Sequence, residues 1–422
     1  MTRRRTRTIE KFALLASLYV SQYIPVMFLF EALPVFMRQQ GIALDAIGLV
    51  PLLGLPLTFK FLWSPLIDNY GYTRWGHYRF WIIFFQLLVA ITTVICAEFE
   101  IQNYLTITMV GTFCLFLFCS SQDIAADALA VGLLEPKERG MGNGVQTAGN
   151  YLGSLIGGGG MLLLLDRWGW KPTMLVMAGT MIFALLPVLR YREPPAQEDR
   201  SPQALEQARG SFLTVCTSYW KTLTSFFRRP RMWRWLTTIV LYTMSGLMAA
   251  TMFRPLLVDL GLSLSEIGLI RGIVGYTAGM FGAIAAGLLM TRLGRKRSLL
   301  LFGLLEVVTL LGYLIPAAGI AYRPMLYSIA IAIQFTSSMA STALFTLMMD
   351  RSQAATAGTD YTVQTSVAFM GSLGAAAFSG IIAEAIGYQG LFLASVGIGL
   401  INLTIVAKVL DDPPLSQSSV VT

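Results

Sequence analysis

"VQTAGNYLGSLIGGGG" occupies residues 145–160, and "VQTSVAFMGSLGAAAF" occupies residues 363–378, 218 positions later. Each opens with Val-Gln-Thr and carries Gly-Ser-Leu at the same distance downstream. A second pair, "GIALDAIGL" from Gly41 and "GLSLSEIGL" from Gly261, recurs at an offset of 220. Two separate segments with nearly one offset mean that the chain uses one plan twice, in the same direction. The glycines at 153 and 157–160 read as surfaces for close helix packing.

The plan is built from apolar helices. Of 422 residues, 55% are hydrophobic and 13% charged, too little charge to cover a water-soluble protein of this size. The apolar residues fall into stretches long enough to cross roughly 30 Å of hydrocarbon, which takes about 20 helical residues. Twelve such stretches are expected, at about 12–36, 46–67, 79–98, 104–131, 141–165, 172–190, 234–257, 265–290, 298–317, 324–349, 361–386 and 389–410. The chain therefore reads as an all-α polytopic membrane protein with six spans per repeat. Its domains are an N-terminal six-helix bundle (1–191), a linker with an amphipathic helix (192–233) and a C-terminal six-helix bundle (234–422).

Net charge +8 raises the question of nucleic acid, but the distribution answers it. With the N-terminus in the cytoplasm, 24 of the 31 Lys and Arg fall on the cytoplasmic side. Arg38, Arg167, Lys171 and Arg323 fall outside, and Lys60, Arg254 and Arg271 lie within spans. That asymmetry is the positive-inside pattern; it puts both ends in the cytoplasm and leaves no call for a nucleic-acid partner. The first span is too long for a signal-peptide core and lacks a small-residue cleavage site, so it reads as retained. In the linker, Phe212, Val215, Tyr219, Leu223 and Phe226 keep helical spacing ahead of Arg228, Arg229 and Arg231, which suits a helix on the inner leaflet. Cys96, Cys114, Cys119 and Cys216 have neither disulfide nor metal spacing, and His77 is a single histidine in a basic loop. With no nucleophile motif or nucleotide-binding loop, the expectation is a secondary carrier without cofactor or metal, not an enzyme.

Charges buried in oil need a reason, since a carboxylate at the bilayer centre costs roughly 2.5–3.5 kcal/mol. Asp123 and Asp127 in "SSQDIAADALAVGLLEPKERG" (120–140) share one face of the fourth span. At the 218-residue offset they become Ser341 and Phe345, so packing does not demand an acid there. Three roles compete: a cytoplasmic gate paired with loop arginines such as Arg74 and Arg139, a proton site, or solvation at the interface. Glu31 and Arg254, near the outer ends of equivalent spans, suit a periplasmic gate. Lys60 is too deep in the second span to reach water easily and is expected to face the cavity and attract an anion. Arg271 lies in the outer third of the eighth span, and Glu306 sits at mid-depth in the ninth. Gln22, Tyr23, Gln146, Asn150, Gln334 and Gln364 converge at mid-depth and are read, with Lys60 and Arg271, as the substrate-binding set.

Two parallel six-helix repeats are the plan of the major facilitator fold, with the substrate site between the halves. "GLLMTRLGRKR" (287–297) resembles the signature of that fold, with Thr291 in the acidic place, while Asp68 in "SPLIDNYGYTRWG" keeps the acid in the first repeat. "KFLWSPLIDNYGYTRWGHYRFW" (60–81) and the stretch 120–159 resemble the peptide–acetyl-CoA–drug branch of the major facilitators. That branch includes AmpG muropeptide permeases, acetyl-CoA transporters and the RhtX/FptX siderophore importers. AmpG permeases usually carry two further membrane helices, so twelve spans favour the siderophore importers. The resemblance implies a bacterial inner-membrane carrier, expected to be monomeric in the lipid bilayer, that imports an iron–siderophore complex with protons. The alternative is a muropeptide permease or a drug exporter of the same fold. Asp68, Asp123, Asp127, Glu31 and Arg254 are the residues expected to gate or to couple protons.

Overall fold

The computed structural model describes residues 2–70, 76–193, 220–221 and 223–409, and its spans are helical. In hydrocarbon each backbone N–H and C=O must be satisfied within its own segment, which a helix does. Among the described residues, ten helices are long and apolar enough to cross a membrane. Nine are α1 (Thr8–Gln39), α3 (Tyr78–Ala97), α4 (Leu105–Leu133), α5 (Arg139–Trp168), α6 (Trp170–Arg190), α7 (Met232–Asp259), α8 (Glu266–Leu293), α9 (Arg295–Ala317) and α10 (Arg323–Asp350). The tenth, Ala357–Val409, breaks at Gly387 (φ 73°, ψ 171°), giving α11 (357–386) and α12 (388–409). Only glycine adopts that conformation without strain, so the sequence itself sets the corner.

The second span, α2 (44–69), is helical in four pieces: Leu44–Leu53, Leu55–Phe59, a 3-10 turn Lys60–Leu62, and Ser64–Asn69. Pro51, Pro56 and Pro65 account for the breaks, because proline lacks an N–H and clashes with the preceding turn. With α2 the spans reach twelve, as the repeat requires. The broken backbone places Lys60 on a tight turn. Among the described residues, three π segments widen other helices: Phe28–Ala32 in α1, Leu155–Gly160 in α5 and Leu269–Gly275 in α8. Two of them carry Glu31 and Arg271, and such bulges often mark functional positions.

Packing divides the chain into two units, Met1–Met232 with Met348–Val367, and Trp233–Leu347 with Ala368–Thr422. The sequence halves do not coincide with them, because residues 348–367 hydrogen-bond to side chains of the first repeat and its linker. In the first unit, α1 lies on α5 through Gly149, Gly153 and Gly157, whose missing side chains leave room for Tyr19, Val20, Tyr23 and Ile24. A core around Phe28, Phe36, Phe116 and Met177 fills one end of this bundle, and a core around Leu18, Ile82, Ile124 and Leu185 fills the other. The second unit is centred on Phe253, Tyr313 and Phe392, with ring centroids 4.3 and 5.1 Å apart. Large apolar side chains such as Leu163, Phe183 and Ile381 are exposed, as a lipid-facing surface allows.

Arg74 and the Phe212, Val215 and Tyr219 portion of the expected amphipathic helix lie outside the described residues. Leu223 and Phe226 of that pattern are buried in the protein.

Candidate functional site

Lys60 is 5% exposed, and its ammonium pairs with the carboxylate of Asp123 on α4. From the sequence this lysine is expected to meet an anion in the cavity; the anion it meets is part of its own bundle. Asp123 keeps a quarter of its side chain accessible, so the pair is open from the Asp123 side. One turn on, Asp127 is buried and accepts hydrogen bonds from the Tyr19 hydroxyl at 2.8 Å and Gln146 Nε2 at 3.3 Å. Tyr23 on α1 and Tyr361 near the start of α11 are within electrostatic reach of both aspartates. Trp63 donates its indole N–H to Ser121 at 3.0 Å, fixing the turn that carries Lys60 against α4.

Neutral polar atoms surround this core. Gln22 is 4% exposed, and among the described residues neither its amide nitrogen nor its oxygen finds a partner. Gln146 Oε1 and Asn150 Oδ1 on α5 are buried and have no partner among the described residues either. Buried polar atoms are nearly always hydrogen-bonded in folded proteins, so such orphans point to groups satisfied by something that enters the site. One buried cation paired with the nearer of two carboxylates, and several amide atoms without a partner among the described residues, make a site that can hydrogen-bond a polar solute.

A second acidic cluster lies toward the start of α11. Asp68, 1% exposed, accepts hydrogen bonds from the backbone N–H groups of Gly358 and Thr359 at 3.0 and 2.6 Å. The hydroxyls of Thr359 and Tyr78 donate to it at 2.7 and 2.8 Å. A carboxylate there meets first-turn N–H groups that have no partner within their own helix, and the positive end of the helix dipole. Arg139 donates to Asp350 at 2.9 Å, so the expected pairing of Arg139 with Asp123 or Asp127 is not formed. The arginine starts α5 and reaches the end of α10, away from the turn that carries the aspartates. Arg229 forks onto Asp360 with bonds of 2.6 and 2.8 Å, and Gln353 N–H donates to the same carboxylate at 2.9 Å. His77, in the loop before α3, is largely buried, and burial pushes its imidazole down to about 4.

The other expected site residues are dispersed. Gln364, read as a mid-depth amide, is fully buried, and its nitrogen donates to Met348 O, Ser352 Oγ and Asp360 O at 3.1, 3.3 and 3.0 Å. Its donor capacity is used by the turn between α10 and α11, which corrects the substrate-facing placement. Arg271 donates to the Ala250 carbonyl at 2.9 Å. Gln334 is half-buried on α10, Arg254 is exposed on α7, and Glu31 is half-buried with its carboxylate against Gly158. Sequence reasoning missed Tyr19, Tyr361, Arg229 and Asp360. Tyr19 and Tyr23, one turn apart, offered the one legible signal.

The model of the family described as Major Facilitator Superfamily matches residues 15–377. The anhydromuropeptide permease of Escherichia coli K12 is 30% identical over 408 residues, covering 94% of this chain and 80% of that protein. A Rickettsia conorii protein under the transporter name AmpG 4 is 24% identical over 390 residues, covering 89% of this chain and 91% of its own length. Among solved structures, the transporter FucP in its outward conformation superposes with a TM-score of 0.70 at 17% identity, covering 95% of this chain and 99% of that one. That last likeness speaks for the fold alone.

Proposed function

This chain belongs to the Major Facilitator Superfamily, and from that membership we propose that it imports an anhydromuropeptide-like solute across the bacterial inner membrane, driven by protons. The observation that carries the substrate class is the similarity to the Escherichia coli anhydromuropeptide permease along nearly the whole chain. The siderophore expectation rested on the count of twelve spans. A relative named AmpG 4 that aligns over 91% of its own length removes the force of that count, since it is of similar extent to this chain. The charge asymmetry supports an orientation with both termini and the 192–233 segment in the cytoplasm.

The cluster around Lys60 suits such a solute. A muropeptide offers carboxylates for the ammonium of Lys60, and amides and hydroxyls for the orphaned atoms of Gln22, Gln146 and Asn150. A substrate carboxylate that takes Lys60 displaces Asp123 from it. The displaced carboxylate then sits in a poorly hydrated place without its cation, and binding a proton removes that cost. Asp123 thereby couples proton uptake to substrate binding, while Asp127 holds Tyr19 and Gln146 in place. Asp68, Arg139 and Arg229, with the residues they hold at 350–360, form the gate that opens and closes access.

The test is uptake in cells that lack a muropeptide permease of their own and express this chain. Labelled anhydromuropeptide should enter, and excess unlabelled anhydromuropeptide should compete. Entry of a labelled ferric siderophore, with none of the muropeptide, would overturn the assignment and restore the siderophore reading.

A further inference from the structure

Glu306 takes no part in the transport cycle described above. It lies on α9, 11 positions after Arg295, which at about 1.5 Å per residue is roughly 16 Å along a helix of 23 residues and close to mid-span. The residue is 7% exposed. Ser337 on α10 hydrogen-bonds its carboxyl group, and on α7 it lies against Gly246, where a Cβ would stand 2.5 Å from Oε1. The titratable and charged groups around it are few. Tyr242 of α7 gives its hydroxyl to the Leu299 carbonyl at 3.1 Å. Tyr313 is stacked on Phe253, and Arg271, which acts on Tyr313, is bonded to the Ala250 carbonyl. Among the described residues no Lys or Arg forms an ion pair with Glu306.

The internal repeat supplies a control at this position. At an offset of 220, the buried face Ile82, Ile83, Gln86, Ala90 and Thr93 of α3 becomes Phe302, Gly303, Glu306, Leu310 and Tyr313 of α9, all buried too. Glu306 thus stands where the first repeat has Gln86. The amide of Gln86 donates to the Met181 carbonyl at 2.7 Å and accepts from Gln122 at 2.9 Å. A protonated glutamic acid has the shape of glutamine and, like it, one donating and one accepting arm. An ionised glutamate accepts only.

We propose that Glu306 is a proton-binding site of the second repeat, holding one proton on a membrane-buried carboxylic acid that takes the structural place of the Gln86 amide. The inference is independent of the substrate assignment and of the Lys60–Asp123 pair.

Dicyclohexylcarbodiimide enters the bilayer and reacts with carboxylic acids. The acid O–H adds across one C=N bond, its proton goes to nitrogen, and nothing leaves. The full chain in liposomes is treated near neutral pH and its peptides are mapped by mass. The adduct is expected on the peptide containing Glu306 and should be absent from E306Q. In the infrared spectrum of untreated protein, E306Q should lose a protonated-carboxyl C=O band that the wild type shows. Adduct at Glu306 in the wild type supports the site even if E306Q folds poorly. A wild type with no adduct at Glu306, and a carboxyl band unchanged by E306Q, overturns it. Neither readout involves the transported solute.

Discussion

Lys60 shows how a residue can be legible as a misfit and still conceal its partner. A lysine two-thirds of the way down an apolar span had to have a purpose, and so did Asp123 and Asp127. That the first two meet was not legible, because they are 63 positions apart and the prolines of α2 break the periodicity that would have set the direction of Lys60. Tyr19 was hidden for a different reason, since a tyrosine in an apolar helix reads as core until its hydroxyl is seen on Asp127. K60A leaves Asp123 without its cation, and loss of a charge-assisted contact is worth about 1–3 kcal/mol. Transport at limiting substrate should fall at least about fivefold in K60A with protein level little changed, while K60R keeps part of the rate. Normal uptake by K60A under those conditions removes Lys60 from the site.

At the scale of elements, the start of α11 is held by acids and bases from distant parts of the chain. Sequence patterns located the spans and marked the glycines of α5 for close packing, but they read α2 as one unbroken helix and did not name α1 as the partner of those glycines. Patterns did not show that Gln364 would spend its amide on the α10–α11 turn, or that Arg229 would fork onto Asp360. Hydrogen bonds across such separations have no local signature. Asp68 is the clearest lever on this element. D68N replaces one carboxylate oxygen by an NH₂ group that cannot accept from Gly358 or Thr359. A contact of about 1–3 kcal/mol shifts a two-state equilibrium about 5- to 150-fold. Against a background of S352C, whose parent residue is 8% exposed, D68N should therefore speed alkylation by an impermeant maleimide at least about fivefold. An equal rate in both proteins means that Asp68 does not hold this end of α11 closed.

For the whole molecule, twelve apolar stretches gave the expected number of spans, two short repeats showed that the plan is used twice, and charge asymmetry suggested an orientation. The division into packed units was not legible, because residues 348–367 belong by sequence to the second repeat and by hydrogen bonding to the first unit. The substrate was the least legible property of all, since a count of helices says nothing about which polar groups a solute must satisfy. The central claim is that the Lys60–Asp123 pair joins substrate binding to proton uptake. Its most direct test compares two assays in proteoliposomes, exchange of labelled anhydromuropeptide at equal pH and accumulation driven by an imposed pH gradient. For D123N, exchange should stay within about threefold of wild type while pH-driven accumulation falls at least tenfold, to about the level without a gradient. Wild-type accumulation by D123N would contradict the account.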